Sequence, residues 1–497
     1  MSIPGRQAVK LCTKNLTKLG KKTQVSLPVF NREGVSPGIV HLGVGGFHRS
    51  HQAVYTAKAL TQDPSWGICG VGLVPADKKM EDALASQDHL YTLLTKNSKS
   101  TEIEVIGSIV DYLYNGEGAR TYDVMKKLAH EDTKIVSLTV TEKAYMIDDS
   151  TGDLDESHPL IQHDLENFLT PKTPIGYVVA GLRLRMFKNM PAFTVLSCDN
   201  LPMNGELTEK AVLQYAEKID SNLAAWIREN TAFPSTMVDR ITPATTAEDI
   251  ALIKENYGIE DAWPVCAEDY TQWVIEDNFP SGRPAWEAFG ALLVEDVKPY
   301  ELMKLRLLNG SHSALAYLSY LAGHRRVHEA MQNDDVFQFM INYMETITPT
   351  VPEVPGVDLN AYKGILRERF SNPNISDQVS RLAEDGSKKI VSFVRDATEE
   401  LLAEGQPTKH VAGAVAGWIR YSQGMDMKGE PIHIQDPKAE ELKHFAHRVK
   451  GEGVGPFLSN FMGDKVASSE KFSAEVTDFV SRIESEGPKA VLKSLAE

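Results

Sequence analysis

The segment YELMKLRLLNGSHSALAY, residues 300–317, sets polar and titratable side chains among leucines. At roughly 100° per residue on a helix, Glu301, Lys304, Asn309 and His312 share an arc of about 140° with Leu305 and Leu308. A carboxylate, an amine, an amide and an imidazole each cost several kcal/mol when buried without a partner, so the stripe suggests a lined pocket. Dehydrogenation of an alcohol would use such a set: a base for the hydroxyl proton, donors for the developing alkoxide and a nicotinamide to accept hydride. Lys304 fits the base, provided that desolvation and a positive nicotinamide lower its pKa from about 10.4 toward neutrality. Asn309 would be a neutral donor, and His312 would hold a substrate oxygen. The same pattern also suits a core helix from which Lys304 snorkels, with a break at Asn309-Gly310.

A nicotinamide dinucleotide needs a phosphate cradle, made of a strand, a glycine turn and a helix N-terminus with free amides. IVHLGVGGFHRSHQ, residues 39–52, offers Gly43, Gly45 and Gly46 after a β-rich run, but His48 stands where the dinucleotide fingerprint has its third glycine. Helix packing there must be arranged differently, or the helix must start with another tilt. Asp77 follows the next candidate strand, about thirty residues beyond the glycines rather than the usual ~20. A carboxylate at Asp77 would accept from adenosine ribose hydroxyls and repel a 2′-phosphate, favouring NAD over NADP, although Lys78 and Lys79 adjoin it. By spacing alone, an ordinary tight turn and a solvated helix-start aspartate fit equally well.

The elements that must position these groups fall into two regions. Up to about residue 300, candidate strands GIVHLGV (38–44), WGICGVGL (66–73), KIVSLTV (134–140) and FTVLSCDN (193–200) alternate with helical stretches such as 76–88 and 209–219. This spacing predicts parallel β-α-β units, an α/β doubly wound sheet of Rossmann type. From ELMKLRLLNGSHSALAYLSYLAGH onward, through VFQFMINYMETI, SKKIVSFVRDATEELLAE and KHVAGAVAGWIRYSQG, the periodicity is helical. The expected division is a dinucleotide-binding domain over 1–296 and a mostly α-helical substrate and catalytic domain over 297–497.

Other chemistries lack their motifs. No H-E-x-x-H, G-x-S-x-G or G-x-x-x-x-G-K-[ST] occurs, and His48-x-x-His51 is poorly spaced for a metal, so no metal site is expected. Tyr-x-x-x-Lys occurs twice, at Tyr122/Lys126 and Tyr300/Lys304, which deprives it of meaning. The net charge of −16 argues against nucleic acid as a partner. No run of about 18 apolar residues could span a membrane. The four scattered cysteines read as reduced thiols. With no apolar signal core at the amino terminus and no address at the SLAE end, a cytoplasmic location is expected.

Taken together, GVGGFHRSHQ (43–52), TEKAY (141–145), SCDNLPMNG (197–205), FPSTMVDRITP (233–243), QWVIEDNFP (272–280) and KLRLLNGSHSALAY (304–317) resemble the polyol-specific long-chain dehydrogenases. The resemblance runs from about residue 25 to about 480, with V-D-R-I-T-P its narrow signature and K-x-x-x-x-N-x-x-H its catalytic element. It implies a zinc-free, NAD-dependent enzyme, commonly monomeric, acting on a small polyol or ketose. Lys304 would be the general acid/base, Asn200 and Asn309 the alkoxide-stabilising pair, His312 the substrate-orienting group and Glu301 the gate for proton exchange with solvent. Asp239, Arg381 and Lys389 would bind polyol hydroxyls. Gly43, Val44, Gly45, Gly46 and Phe47 match the family's G-x-G-x-F turn, and Thr141 and Lys143 would line the nicotinamide side. Asp77 corresponds roughly to the acid that sets NAD preference, but the second acid that often precedes it is Ala76 here, a departure that weakens the expectation of strict NAD selectivity. The expected reaction is interconversion of D-mannitol and D-fructose. Alternatives are D-arabinitol or fructuronate turnover within the family or, in another class, a dinucleotide sensor without turnover.

Overall fold

The structure, a computed structural model, describes residues 8–21, 25–148, 151–375 and 377–497. Residues 1–7, part of the amino-terminal stretch that bears on the expected location, lie outside the described residues. The chain divides into two compact units, Met1–Val297 and Lys298–Glu497.

The first unit is built on five parallel strands: β1 (Pro37–Leu42), β2 (Gly67–Gly72), β3 (Ile109–Tyr114), β4 (Ile135–Leu138) and β5 (Thr194–Ser197). Their order is β3-β2-β1-β4-β5, with Ile39 opposite both Ile68 and Ile135. Strand order reverses between β1 and β4, which opens a crevice at their carboxyl ends. Alternation sends Val40, Leu42, Val71, Val136, Leu138 and Val195 into one apolar layer, with helices Thr121–Leu128, Pro174–Phe187 and Asn204–Ile219. Ile39, Ile68, Ile109, Ile135 and Leu196 enter the other, with helix Gln52–Ala59 and Trp273 and Trp286. Strands buried on both faces read as nearly continuous apolar runs, which is why four of the five are visible in the sequence. The fifth, β3, reads IVDYLY and follows strand Thr101–Ile106 after only Gly107 and Ser108.

The expectation of parallel units alone is corrected by two of the three further sheets, the third being a parallel pair of Val9–Lys10 with Ile259–Glu260. Val265–Glu268, Tyr91–Lys96, Thr101–Ile106 and Val25–Ser26 form a mixed sheet in which Tyr91–Lys96 and Thr101–Ile106 are an antiparallel hairpin. Thr236–Asp239 pairs antiparallel with Gln272–Glu276, itself parallel to Leu292–Val294. The expected strands are also too long: β1 stops at Leu42 and β4 at Leu138, because a turn must begin where the sheet's carboxyl edge meets the crevice.

The second unit is helical, and among its described residues no strand forms. Helix Gly310–Leu321 packs against Lys409–Ser422 and Val379–Ala383, while Asp334–Ile347 packs against Pro488–Ala496. No helix among the described residues is long and apolar enough to cross a membrane.

Candidate active site

The glycine turn leaves β1 at its carboxyl end. Gly43 has φ +88°, and a Cβ there would lie 2.4 Å from the Thr139 carbonyl oxygen, so only glycine fits. Its N–H donates to Val71 O at 3.0 Å, and its carbonyl accepts from Thr139 Oγ1 at 2.7 Å. Gly45 differs: a Cβ there would meet nothing within 4 Å. Open space in front of main chain at the start of helix Gly46–Ser50 is what close approach of a pyrophosphate requires.

The place of the missing glycine is resolved by ring stacking. His48 is fully buried and lies parallel to His41 of β1, with centroids 3.5 Å apart and planes at 18°. His41 is hydrogen-bonded to Ser137 Oγ and Thr139 Oγ1, each at 2.8 Å. Burial drives both imidazoles toward the neutral form, with the His41 pKa pushed down to about 3. The helix also breaks at His51 and restarts at Gln52, so its first turn takes its own direction. The rest of HRSHQ is structural: buried Arg49 donates to Trp263 O, Ser50 Oγ bonds Thr242 Oγ1 at 2.8 Å, and His51 Nε2 bonds Gln272 O at 2.9 Å.

Three other cofactor candidates sit at the same edge. Asp77, in the turn Pro75–Asp77, accepts from Val74 N at 3.1 Å; a Cβ on Gly72, the last residue of β2, would lie 2.6 Å from Asp77 Cβ. Burial raises the Asp77 pKa. Thr141 and Lys143 are exposed beyond β4, in and before the turn Glu142–Tyr145. Thr141 has φ +70° and ψ 157°, a region that side chains rarely enter. Asn200 lies exposed just past β5.

Sequence reasoning missed the residues that fasten these groups. Asp199 accepts from Val140 N, Thr141 N and the Tyr145 hydroxyl. Asn204 Nδ2 donates to Asp199 O at 3.0 Å and Thr236 O at 2.9 Å, tying β5 to strand Thr236–Asp239, whose last residue, Asp239, is buried. Arg240 donates to the carbonyls of Ser50 and Glu268, so the V-D-R-I-T-P segment braces the glycine turn. Asp199, Asn204 and Arg240 stand inside the quoted motifs, which was the only available signal.

In the second unit Lys298–Met303, Lys304–Asn309 and Gly310–Leu321 form one continuous helix, without a break at Asn309-Gly310. Its middle segment, however, is a π turn, in which Gly310 N donates to Leu305 O five residues back. This corrects the uniform α-helical arc. Lys304 and Asn309 would stand about 140° apart on an α-helix, whereas a π turn brings residues i and i+5 toward alignment and narrows the face. Arg306 anchors the turn through a paired contact with Glu400 at 2.6 and 2.8 Å and a bond to Thr350 O. Glu301 and Lys304 are buried, and the half-buried Asn309 has no hydrogen-bond partner for Oδ1. His312 stacks on Phe370 with centroids 4.2 Å apart.

Arg381 and Lys389 join His312 through a residue the sequence reading omitted, Asp377. Arg381 grips the Asp377 carboxylate with two nitrogens, Nε at 2.7 Å. Burial opposes that carboxylate, but Arg381 and His312 hold its pKa below the usual range. Lys389 Nζ donates to Arg381 O at 3.2 Å and Leu382 O at 3.4 Å, and burial, with Arg381 nearby, lowers its pKa. Among the described residues no three His, Cys, Asp or Glu side chains converge as a metal site.

Comparison with known proteins places the chain in a family. The family model for the mannitol dehydrogenase Rossmann domain covers residues 37–288, and that for the mannitol dehydrogenase C-terminal domain covers 296–484. The chain is 42% identical to mannitol 2-dehydrogenase of Aspergillus fumigatus, over 98% of both chains. It is similar to the solved Pseudomonas fluorescens mannitol 2-dehydrogenase in ternary complex with NAD and D-mannitol, at 42% identity and TM-score 0.87, covering 98% of this chain and 99% of that one. A solved substrate-free D-sorbitol dehydrogenase is 34% identical with TM-score 0.89, covering 97% of this chain and 100% of the other. With a glycine turn at the carboxyl edge of a doubly wound sheet and a lysine-asparagine-histidine helix in the second unit, the chain belongs to the mannitol dehydrogenase family.

Proposed function

We propose that this chain is an NAD-dependent mannitol 2-dehydrogenase that interconverts D-mannitol and D-fructose. The observation that carries this reading is the similarity, along essentially the whole of both chains, to an enzyme solved with NAD and D-mannitol. The cofactor fits the residues present, because the cradle at Gly45 is open where a Cβ would point and Gly43 supplies the turn. Gly43, Val44, Gly45, Gly46 and Phe47 would hold the pyrophosphate, Asp77 the adenosine ribose, and Thr141 and Lys143 the nicotinamide side. Bound NAD supplies the hydride acceptor for oxidation.

The remaining work falls to side chains. Lys304 takes the proton of the reacting hydroxyl during oxidation and returns it during ketose reduction. Asn200 and Asn309 donate to the oxygen as it gains charge. His312 orients the substrate, and the unpaired Asn309 Oδ1 is an acceptor suited to a hydroxyl. Asp239, Arg381 and Lys389 bind the outer hydroxyls, and Glu301 passes the lysine proton to solvent. A lysine base makes a zinc-bound water unnecessary, so activity should persist in a strong chelator. The first unit is assigned cofactor binding and the second catalysis, in a cytoplasmic monomer without nucleic-acid partners.

The decisive experiment is NADH absorbance with mannitol, sorbitol, arabinitol, fructose and fructuronate, with NADP in parallel. Highest kcat/KM for the mannitol–fructose pair with NAD is expected. Preference for sorbitol, the competing polyol suggested by the D-sorbitol dehydrogenase relative, would overturn the substrate assignment while leaving the mechanism.

A further inference from the structure

We propose that Asp199 is a positioning residue for hydride transfer, holding the turn at Thr141 in register with Asn200 and with Gly43. This rests on the roles given above to Thr141 and Asn200. Thr141 occupies a glycine-type backbone conformation, φ +70° and ψ 157°, yet its side chain is exposed. The restraint comes from below. The Asp199 carboxylate takes the Val140 N–H at 2.9 Å, the Thr141 N–H at 3.0 Å and the fully buried Tyr145 hydroxyl at 2.8 Å.

Two successive amides turned toward one carboxylate have a consequence for the other side of the chain. Peptide groups are planar and trans, so the carbonyls of Thr139 and Val140 are directed away from Asp199. The Thr139 carbonyl then lies against Gly43, where it excludes any Cβ. Asp199 is also one peptide unit from Asn200, and its own carbonyl is held by Asn204 Nδ2 at 3.0 Å. One side chain thus couples the pyrophosphate turn, the loop on the nicotinamide side and a proposed alkoxide donor. Its loss should slow the chemical step more than it weakens binding.

The test is Asp199→Asn, which keeps the size of the side chain but offers an NH2 group to one of the three donors. With mannitol and NAD, kcat should fall by at least about tenfold while both KM values change by less than about threefold. The isotope effect with deuterium on the reacting carbon should rise, because hydride transfer becomes slower relative to product release. Thr141→Gly, which removes the need for restraint, should recover at least about threefold of the loss in the Asp199→Asn background. Amide hydrogen exchange over residues 139–145, a readout independent of turnover, should accelerate. If Asp199→Asn fails to fold, Tyr145→Phe removes one of the three donors and should show the same changes on a smaller scale. Unchanged kcat and isotope effect, additive double-variant behaviour, or unchanged exchange would overturn the proposal. A wild-type enzyme inactive on every polyol would overturn the proposed function, and the exchange measurement would still decide the role of Asp199.

Discussion

The turn at Gly43–Gln52 and the helix at Tyr300–His312 use polar side chains in opposite ways. In the turn, His48, Arg49, Ser50, His51 and Gln52 are all buried and engaged with the first unit itself: His48 with His41, Arg49 with Trp263, Ser50 with Thr242, His51 with Gln272 and Gln52 with Ser137. What the turn leaves for a ligand is main chain at Gly45. In the helix it is the main chain that is altered, by a π turn over Lys304–Asn309, and Glu301, Lys304, Asn309 and His312 are the side chains to which the proposed chemistry is assigned. A phosphate site built from amides needs neighbours that stay out of the way, whereas proton transfer needs specific groups on one face.

From this division of labour, Lys304→Ala should produce the largest effect. Oxidation at neutral pH should fall by about 10²–10⁴-fold, with NAD affinity nearly unchanged in a direct titration. Near-wild-type turnover would break the comparison. Gly43→Ala comes next, because it combines positive φ with a clash against Thr139 O. Urea unfolding should register a loss of about 2–3 kcal/mol.

The stacked imidazoles add an acid dependence to the turn. His41 and His48 have folded pKa values below the ordinary 6.5, that of His41 at about 3. An unfolded chain therefore binds protons near pH 6.5 that the folded chain refuses. The contribution of the pair is complete above pH 6.5 and is lost as pH falls below it, for His41 down to about 3, by up to about 1.4 kcal/mol per pH unit for each imidazole. Unfolding free energies at a series of pH values should show this slope, and His48→Phe should make it shallower. The smallest effect is expected for Gly45→Ala, where a Cβ has room. Stability should stay within about 0.5 kcal/mol while NAD affinity falls about tenfold, and the contrast with Gly43→Ala would separate the ligand-facing glycine from the structural one.

The two regions were not equally legible. Glycines after an apolar strand announce a turn, and four parallel strands are visible because burial on both faces leaves little room for polar residues. Strand β3 was hidden by Asp111 and by its place two residues behind a hairpin strand. On the helix, the spacing Lys304, Asn309, His312 can be read directly, but the angle between those groups cannot, since periodicity assumes a uniform ladder. The fastening residues were the least legible. Asp199 bonds amides 58 and 59 positions away, and Arg240 reaches a carbonyl 190 positions away; no local pattern encodes either pairing. Asp377 is the exception, four residues before Arg381 at ion-pair spacing.

The sequence by itself determined the alternation of strand and helix, the change to a helical second region, and which residue types stand at the glycine turn and on the Lys304 helix. These follow from side-chain size, polarity and backbone freedom, which are properties of each residue and its near neighbours. Tertiary structure alone decided that His48 would stack on His41 in place of a glycine, that the Lys304 segment would take a π turn, and that Asp199 would hold Thr141 in its restrained conformation. Each depends on groups far apart in the chain meeting at bonding distance, and that proximity exists only once the chain has folded.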